Sequence, residues 1–168
     1  MAETRVLVAY ASERGSTAEI AEEIGRVLTR EGFENDVRPA AGVGDVTRYR
    51  AVVLGSAVYM NRWRKDAIRF LKQHRIDLAG RTVWLFQSGP LDDENAPAEL
   101  PRKVRALAAE VGARPHLTFG GRLSADATGF VAGRMASRGM AGDFRDFEQI
   151  RRFAEGIAQE LRRATAAA

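Results

Sequence analysis

The sequence predicts an α/β domain in three layers, a five-stranded parallel sheet covered by helices on both faces. Three observations predict it. Short, continuous apolar runs suit strands buried on both sides. They alternate with segments whose apolar residues recur at helical spacing. The links are short, as crossovers between parallel strands require. The length of 168 residues suits one domain and is enough for a sizeable core.

The first strand is Arg5–Tyr10. A helix follows from about Ser16 to Arg30, with Ile20, Ile24, Val27 and Leu28 on one face. Ser16-Thr-Ala-Glu19 is a capping box at its start, and Gly32 ends it. Phe33–Arg38 and Ala51–Gly55 are the second and third strands. A helix over about Arg64–His74 turns Ala67, Phe70 and Leu71 inward. Arg81–Gln87 is the fourth strand. Pro97 suits a first helical residue, with Leu100, Val104, Leu107, Ala108 and Val111 continuing at helical spacing. The fifth strand lies in Pro115–Gly120. Asp146-Phe-Glu-Gln149 caps a last helix whose inner face is Phe147, Ile150, Phe153, Ala154, Ile157 and Leu161, and the tail Ala164–Ala168 is expected to fray. The expected organisation is one domain over 1–168, with an insertion at about 123–143 between the fifth strand and the last helix. That insertion carries Gly129, Gly133, Gly139 and Gly142 and a weak apolar pattern at Phe130, Val131, Met135 and Met140.

Composition removes several chemistries. Without cysteine there is no disulfide framework, thiolate metal site or Cys nucleophile. His74 and His116 are isolated and read as helix-end and strand-end residues. No carboxylate pair or Ser/His/Asp set is placed for hydrolysis, so no catalytic residue is assigned and no metal is expected. No G-x-G-x-x-G or G-x-x-x-x-G-K-[ST] follows the first strand, and Gly55 and Ser56 stand where a receiver domain needs aspartate. The polar start shows no leader pattern, and no apolar run nears the ~20 residues of a membrane span. These features lead us to expect a cytoplasmic protein, at most peripheral at the inner face of a membrane, with no nucleic-acid partner.

Ligands of open parallel sheets bind beyond the carboxyl ends of the strands. Three loops there have unusual composition. After the first strand come Ser12, Glu13, Arg14, Gly15, Ser16 and Thr17, with hydroxyls and a glycine around a helix N-terminus. Unpaired amides and the helix dipole favour a phosphate there, although a capped helix with a polar turn has similar composition. After the third strand come Ser56, Ala57, Val58, Tyr59, Met60, Asn61, Arg62 and Trp63. Tyr59 and Trp63 are expected to be partly exposed, where an aromatic can stack on a flat ring, or Trp63 packs under the next helix. After the fourth strand, Ser88, Gly89, Pro90 and Leu91 form a tight turn that presents backbone amides.

Tyr10-Ala-Ser-x-x-Gly-Ser-Thr17, Gly55-Ser-Ala57 and Ser88-Gly-Pro90 resemble the three FMN loops of flavodoxin-like proteins. Gly120-Gly-Arg-Leu123, the insertion and Asp143-Phe-Arg-Asp-Phe-Glu148 resemble the flavodoxin-type protoporphyrinogen dehydrogenases, quinone-linked FMN enzymes of haem synthesis. The resemblance implies strand order 2-1-3-4-5 and FMN as cofactor. It implies that the loop Ser12 to Thr17 holds the phosphate. Ser56, Ala57, Val58 and Tyr59 would flank the isoalloxazine, and Ser88, Gly89, Pro90 and Leu91 would line its other side. The implied function is an FMN-dependent oxidoreductase, specifically protoporphyrinogen-type dehydrogenation with a quinone acceptor. A non-enzymatic electron-transfer protein and a flavin-free binding module are the alternatives. Two departures bear on this. The third loop lacks the tyrosine that many electron-carrier flavodoxins stack on the flavin, and the insertion is richer in Gly and Ala than a porphyrin-binding segment should be.

Charge adds a partner. From Tyr59 to Arg75, the cations Arg62, Arg64, Lys65, Arg69, Lys72 and Arg75 face the single acid Asp66, an excess larger than the chain's net +4. It is either a solvated helix face or a steering patch for an anionic small molecule or acidic redox partner near Arg62, Arg64, Lys65 and Arg69.

Overall fold

The computed structural model describes residues 4–12, 15–89, 99–120, 122–123, 142–143 and 145–167. The elements are β1 (Arg5–Ala11), α1 (Ser16–Arg30), β2 (Glu34–Pro39), a 3-10 turn (Ala40–Gly42), β3 (Ala51–Tyr59), β4 (Arg62–Trp63), α2 (Lys65–Ala79), β5 (Thr82–Gly89), α3 (Arg102–Val111), β6 (Leu117–Gly120), β7 (Arg122–Leu123), β8 (Gly142–Asp143) and α4 (Phe147–Ala167). The main sheet runs β2-β1-β3-β5-β6, with the two-residue β4 folded back antiparallel on β3. Counted as long parallel strands alone, this is the expected order 2-1-3-4-5.

The pleat explains why the middles of β1, β3 and β5 are apolar at successive positions. Successive side chains point to opposite faces, and both faces are covered. Leu7, Val52, Leu54, Val83 and Leu85 pack with Phe70, Leu71 and Leu78 of α2 and Val104 and Leu107 of α3. Val6, Val8, Val53, Trp84 and Phe86 pack with Ile20, Ile24 and Leu28 of α1 and Ile150, Ala154 and Ile157 of α4. Among the described residues no helix is long and apolar enough to cross a membrane.

Several boundaries differ from the sequence expectation. The third strand continues past Gly55 to Tyr59, because Ser56 and Ala57 pair with Gln87 and Ser88 on one side while Val58 and Tyr59 pair with Trp63 and Arg62 on the other. The fourth strand likewise reaches Gly89, which pairs with Gly120. The second helix runs beyond His74 to Ala79, since His74 and Leu78 continue the inward face of Phe70 and Leu71. The third helix starts at Arg102, with Pro101 as N-cap. Proline disfavours helical geometry at the residue before it, so Leu100 stays outside the helix although buried. Pro97 lies outside the described residues. The alanine tail is helical as far as Ala167, and the Thr165 hydroxyl donates to the Leu161 carbonyl. Of the insertion, β7 and β8 are described, pairing Arg122 with Asp143 and Leu123 with Gly142. Gly129, Phe130, Val131, Gly133, Met135, Gly139 and Met140 lie outside the described residues.

Candidate functional site

The carboxyl ends of β1, β3 and β5 are neighbours, with Ala11 paired to Ser56 and Ala57 to Ser88. From β1 the chain crosses to β2 on one side, whereas β3 and β5 lie on the other. The strand order therefore reverses at β1 and β3, where such sheets take ligands.

The start of α1 opens onto this point. Gly15 is its N-cap, in the left-handed region at φ 83°, and has no side chain with which to cap the helix. A residue with a Cβ would be strained there by roughly 1–2 kcal/mol. The expected Ser16–Glu19 capping box does not form, because Ser16 is already the first helical residue. The first helical bond runs from the Glu19 amide to the Gly15 carbonyl at 3.0 Å, so the preceding amides find no acceptor within the helix. The Gly15 amide donates to Ser12 Oγ at 3.0 Å. Thr17, fully buried, shares a 2.7 Å hydrogen bond between its hydroxyl and that of Ser88. The N-terminus of α1 is thus tied to the end of β5. Glu19 would oppose an anion here, but it is paired with Arg145, whose side chain is 6% exposed and lies 5.0 Å from the Phe147 ring. Amides and hydroxyls form a donor set that fits the phosphate of FMN, with the Glu19 carboxylate held by Arg145.

The second predicted loop is mostly strand. Ser56, Ala57 and Val58 are buried in β3 instead of lying in an exposed loop. The Ser56 hydroxyl donates to the Ala57 carbonyl and accepts the Arg64 amide at 3.0 Å, which fastens the returning chain. The turn is Met60-Asn61, both residues with positive φ of 50° and 58°. Trp63 is 4% exposed and not the partly exposed aromatic expected, because its indole N–H donates to Gln87 Oε1 at 2.9 Å. Tyr59 is half-buried and lines a hollow of about 430 Å³ with Arg62, Trp63, Arg64 and Lys65.

Gln87 is the residue that sequence reasoning missed. It is fully buried, and its amide also donates to the Glu99 carbonyl (3.1 Å) and Thr118 Oγ1 (3.0 Å). One side chain so holds the hairpin, the chain entering α3 and β6 around the site. Its signal was a polar residue closing the apolar run Val83–Phe86. Arg145 was also missed as a site residue, though it stands inside the Asp143–Glu148 motif.

The structure brings Ser12, Gly15, Ser16, Thr17, Ser56, Ala57, Ser88 and Gly89 together at the ends of three adjacent strands. Val58 and Tyr59 extend that group into the hairpin. Glu13, Arg14, Pro90 and Leu91 lie outside the described residues. His74 packs its ring against Phe70 on the inner face of α2, away from these loops. Among the described residues no group of side chains could hold a metal ion.

The sequence profile of the family described as "Flavodoxin domain" matches residues 7–144. No curated protein matches the chain. Among solved structures, a flavodoxin from the domain Archaea superposes with a TM-score of 0.65 at 15% identity, covering 95% of this chain and 99% of that one. Oxidised flavodoxin 2 from Bacillus cereus gives 0.65 at 23% identity, covering 94% and 99%. The rubredoxin oxygen:oxidoreductase of Desulfovibrio gigas gives 0.65 at 15% identity, covering 99% of this chain and 38% of that larger one. At these identities the structural matches establish the fold.

Proposed function

The chain belongs to the flavodoxin domain family of FMN-binding redox proteins, and from that premise we propose that it works as an FMN-dependent oxidoreductase that exchanges electrons with an anionic partner. Bound FMN supplies the redox chemistry, and the protein contributes binding, orientation and electrostatics. Ser12, Gly15, Ser16 and Thr17 would hold the phosphate, together with Glu13 and Arg14 of the same loop. Ser88 would orient the Thr17 hydroxyl. Tyr59 and the end of β5 would border the ring, with Trp63 and Gln87 keeping that border rigid from behind. Arg62, Arg64, Lys65 and Arg69 would raise the local concentration of an anionic partner.

The observation that carries this reading is the start of α1, which has glycine as its N-cap and is hydroxyl-lined and tied to β5 at the strand-order reversal. Titration of the purified protein with FMN and with riboflavin tests it. FMN is expected to bind at least tenfold tighter, and Thr17→Val to remove most of that advantage. A protein that stays colourless with added FMN overturns the reading and leaves the flavin-free binding module; equal uptake of both flavins overturns the phosphate site. Turnover separates an enzyme from a non-enzymatic electron carrier.

A second, finer reading is dehydrogenation of protoporphyrinogen with a quinone acceptor, placing the protein in haem synthesis. It is supported by the resemblance of Gly120–Leu123 and Asp143–Glu148 and by the pairing of β7 with β8, which frames the intervening segment near the end of β6. Porphyrin formation under quinone, followed by absorbance, is the expected result. FMN-loaded protein without such turnover discards this finer reading alone.

A further inference from the structure

A groove of about 500 Å³ runs between α2 and α3. Lys65, Arg69, Lys72 and Lys103 line it, with the half-buried Ile68 and with Gln73. Lys65, Arg69 and Lys72 follow one stripe of α2 over about 10 Å at 1.5 Å per residue. Among the described residues none of these four cations pairs with a carboxylate. The nearby acid Glu99 is turned to Arg105, 3.6 Å away. The neighbouring Lys103 ammonium holds the Lys72 ammonium below the ordinary lysine range. Like charges gathered without a counter-ion are relieved when an anion enters between them.

We infer that this groove docks an acidic segment of a redox partner protein and seats that partner beside the Tyr59–Trp63 hairpin. Lys65 belongs to both the groove and the hollow at the hairpin, so the dock is continuous with the mouth of the site. The spread of charge exceeds what one phosphate group can span, which argues against a small anion. The cations line a shallow concavity that a protruding acidic helix or loop can enter. That the partner is a redox protein rests on the function proposed above; the acidic character of the partner rests on the groove alone.

The test is an NMR titration of the 15N-labelled, FMN-loaded protein with an acidic plant-type ferredoxin whose iron is replaced by gallium. At low salt, shifts are expected at the amides of 62–73 and 102–103. The double variant Lys72→Glu/Lys103→Glu should weaken binding at least tenfold, and Lys72→Ala/Lys103→Ala should weaken it less. Inorganic pyrophosphate and phosphatidylglycerol vesicles are titrated in parallel. Shifts elsewhere, no shifts, binding indifferent to both double variants, or an equal response to pyrophosphate or vesicles overturns the inference. The visible spectrum of the same samples reports FMN independently, so failure of the cofactor reading and failure of the dock are told apart.

Discussion

A Cβ added at Gly55 would lie 2.0 Å from the Phe86 ring, which packs across the glycine from the adjacent strand. Gly55 is therefore a packing residue, whatever it resembles as part of a cofactor loop. Gly55→Ala is expected to destabilise by about 2 kcal/mol, the usual range for overpacking. Urea unfolding checks it, and Phe86→Leu in that background should restore part of the loss. Gln87→Leu removes the acceptor of the buried Trp63 indole and leaves that N–H unpaired. Such a group costs about 1–3 kcal/mol. The expected outcome is a loss of about 2 kcal/mol with a shift in Trp63 emission, read in a Trp84→Phe background.

Helices α1 and α4 lie side by side, and Glu23 of α1 bridges Arg26 on its own helix at 2.6 Å and Arg151 on α4 at 3.1 Å. Burial pushes the Glu23 carboxyl up, but its bonds to the two arginines outweigh this and hold it below the ordinary range. A carboxyl depressed in the folded state contributes its stability above the unfolded value of about 4.3 and loses it as pH falls through the folded value. Glu23→Gln should thus flatten the loss of stability between about pH 5 and pH 3, measured by urea midpoints. Helix and strand identity were legible at this scale, since one face of each helix and both faces of each central strand had to be apolar. The hairpin was not. Its turn, Met60-Asn61, uses the left-handed region without the Asn-Gly or Asp-Gly pair that signals such turns. Ser56 also looked like the start of a loop, because its pairing with the Arg64 amide depends on the chain folding back.

The main sheet lies between two apolar layers, with the three proposed cofactor loops gathered at the carboxyl ends of its strands. The alternation of elements fixed that layout in advance, and the order of the three loops pointed to those ends. What stayed hidden were contacts between distant segments, such as Thr17 with Ser88 and Glu19 with Arg145, which exist only once the sheet has formed. A ligand bound only by the folded chain stabilises it by about 2.7 kcal/mol at a hundredfold excess over Kd. FMN should therefore raise the melting temperature, and riboflavin at the same concentration should raise it much less. Differential scanning calorimetry is the measurement.

The β7–β8 pair has a consequence of another kind. Arg122 faces Asp143 across the ladder, so the chain departs and returns at adjacent points. Opposed residues of such a ladder sit only about 5 Å apart. The length of what lies between is uncoupled from the positions of β6 and α4. In a lineage, that makes residues 124–141 a cassette, free to be shortened, exchanged or enlarged while the frame is inherited unchanged. In the laboratory, a two-residue turn could replace them.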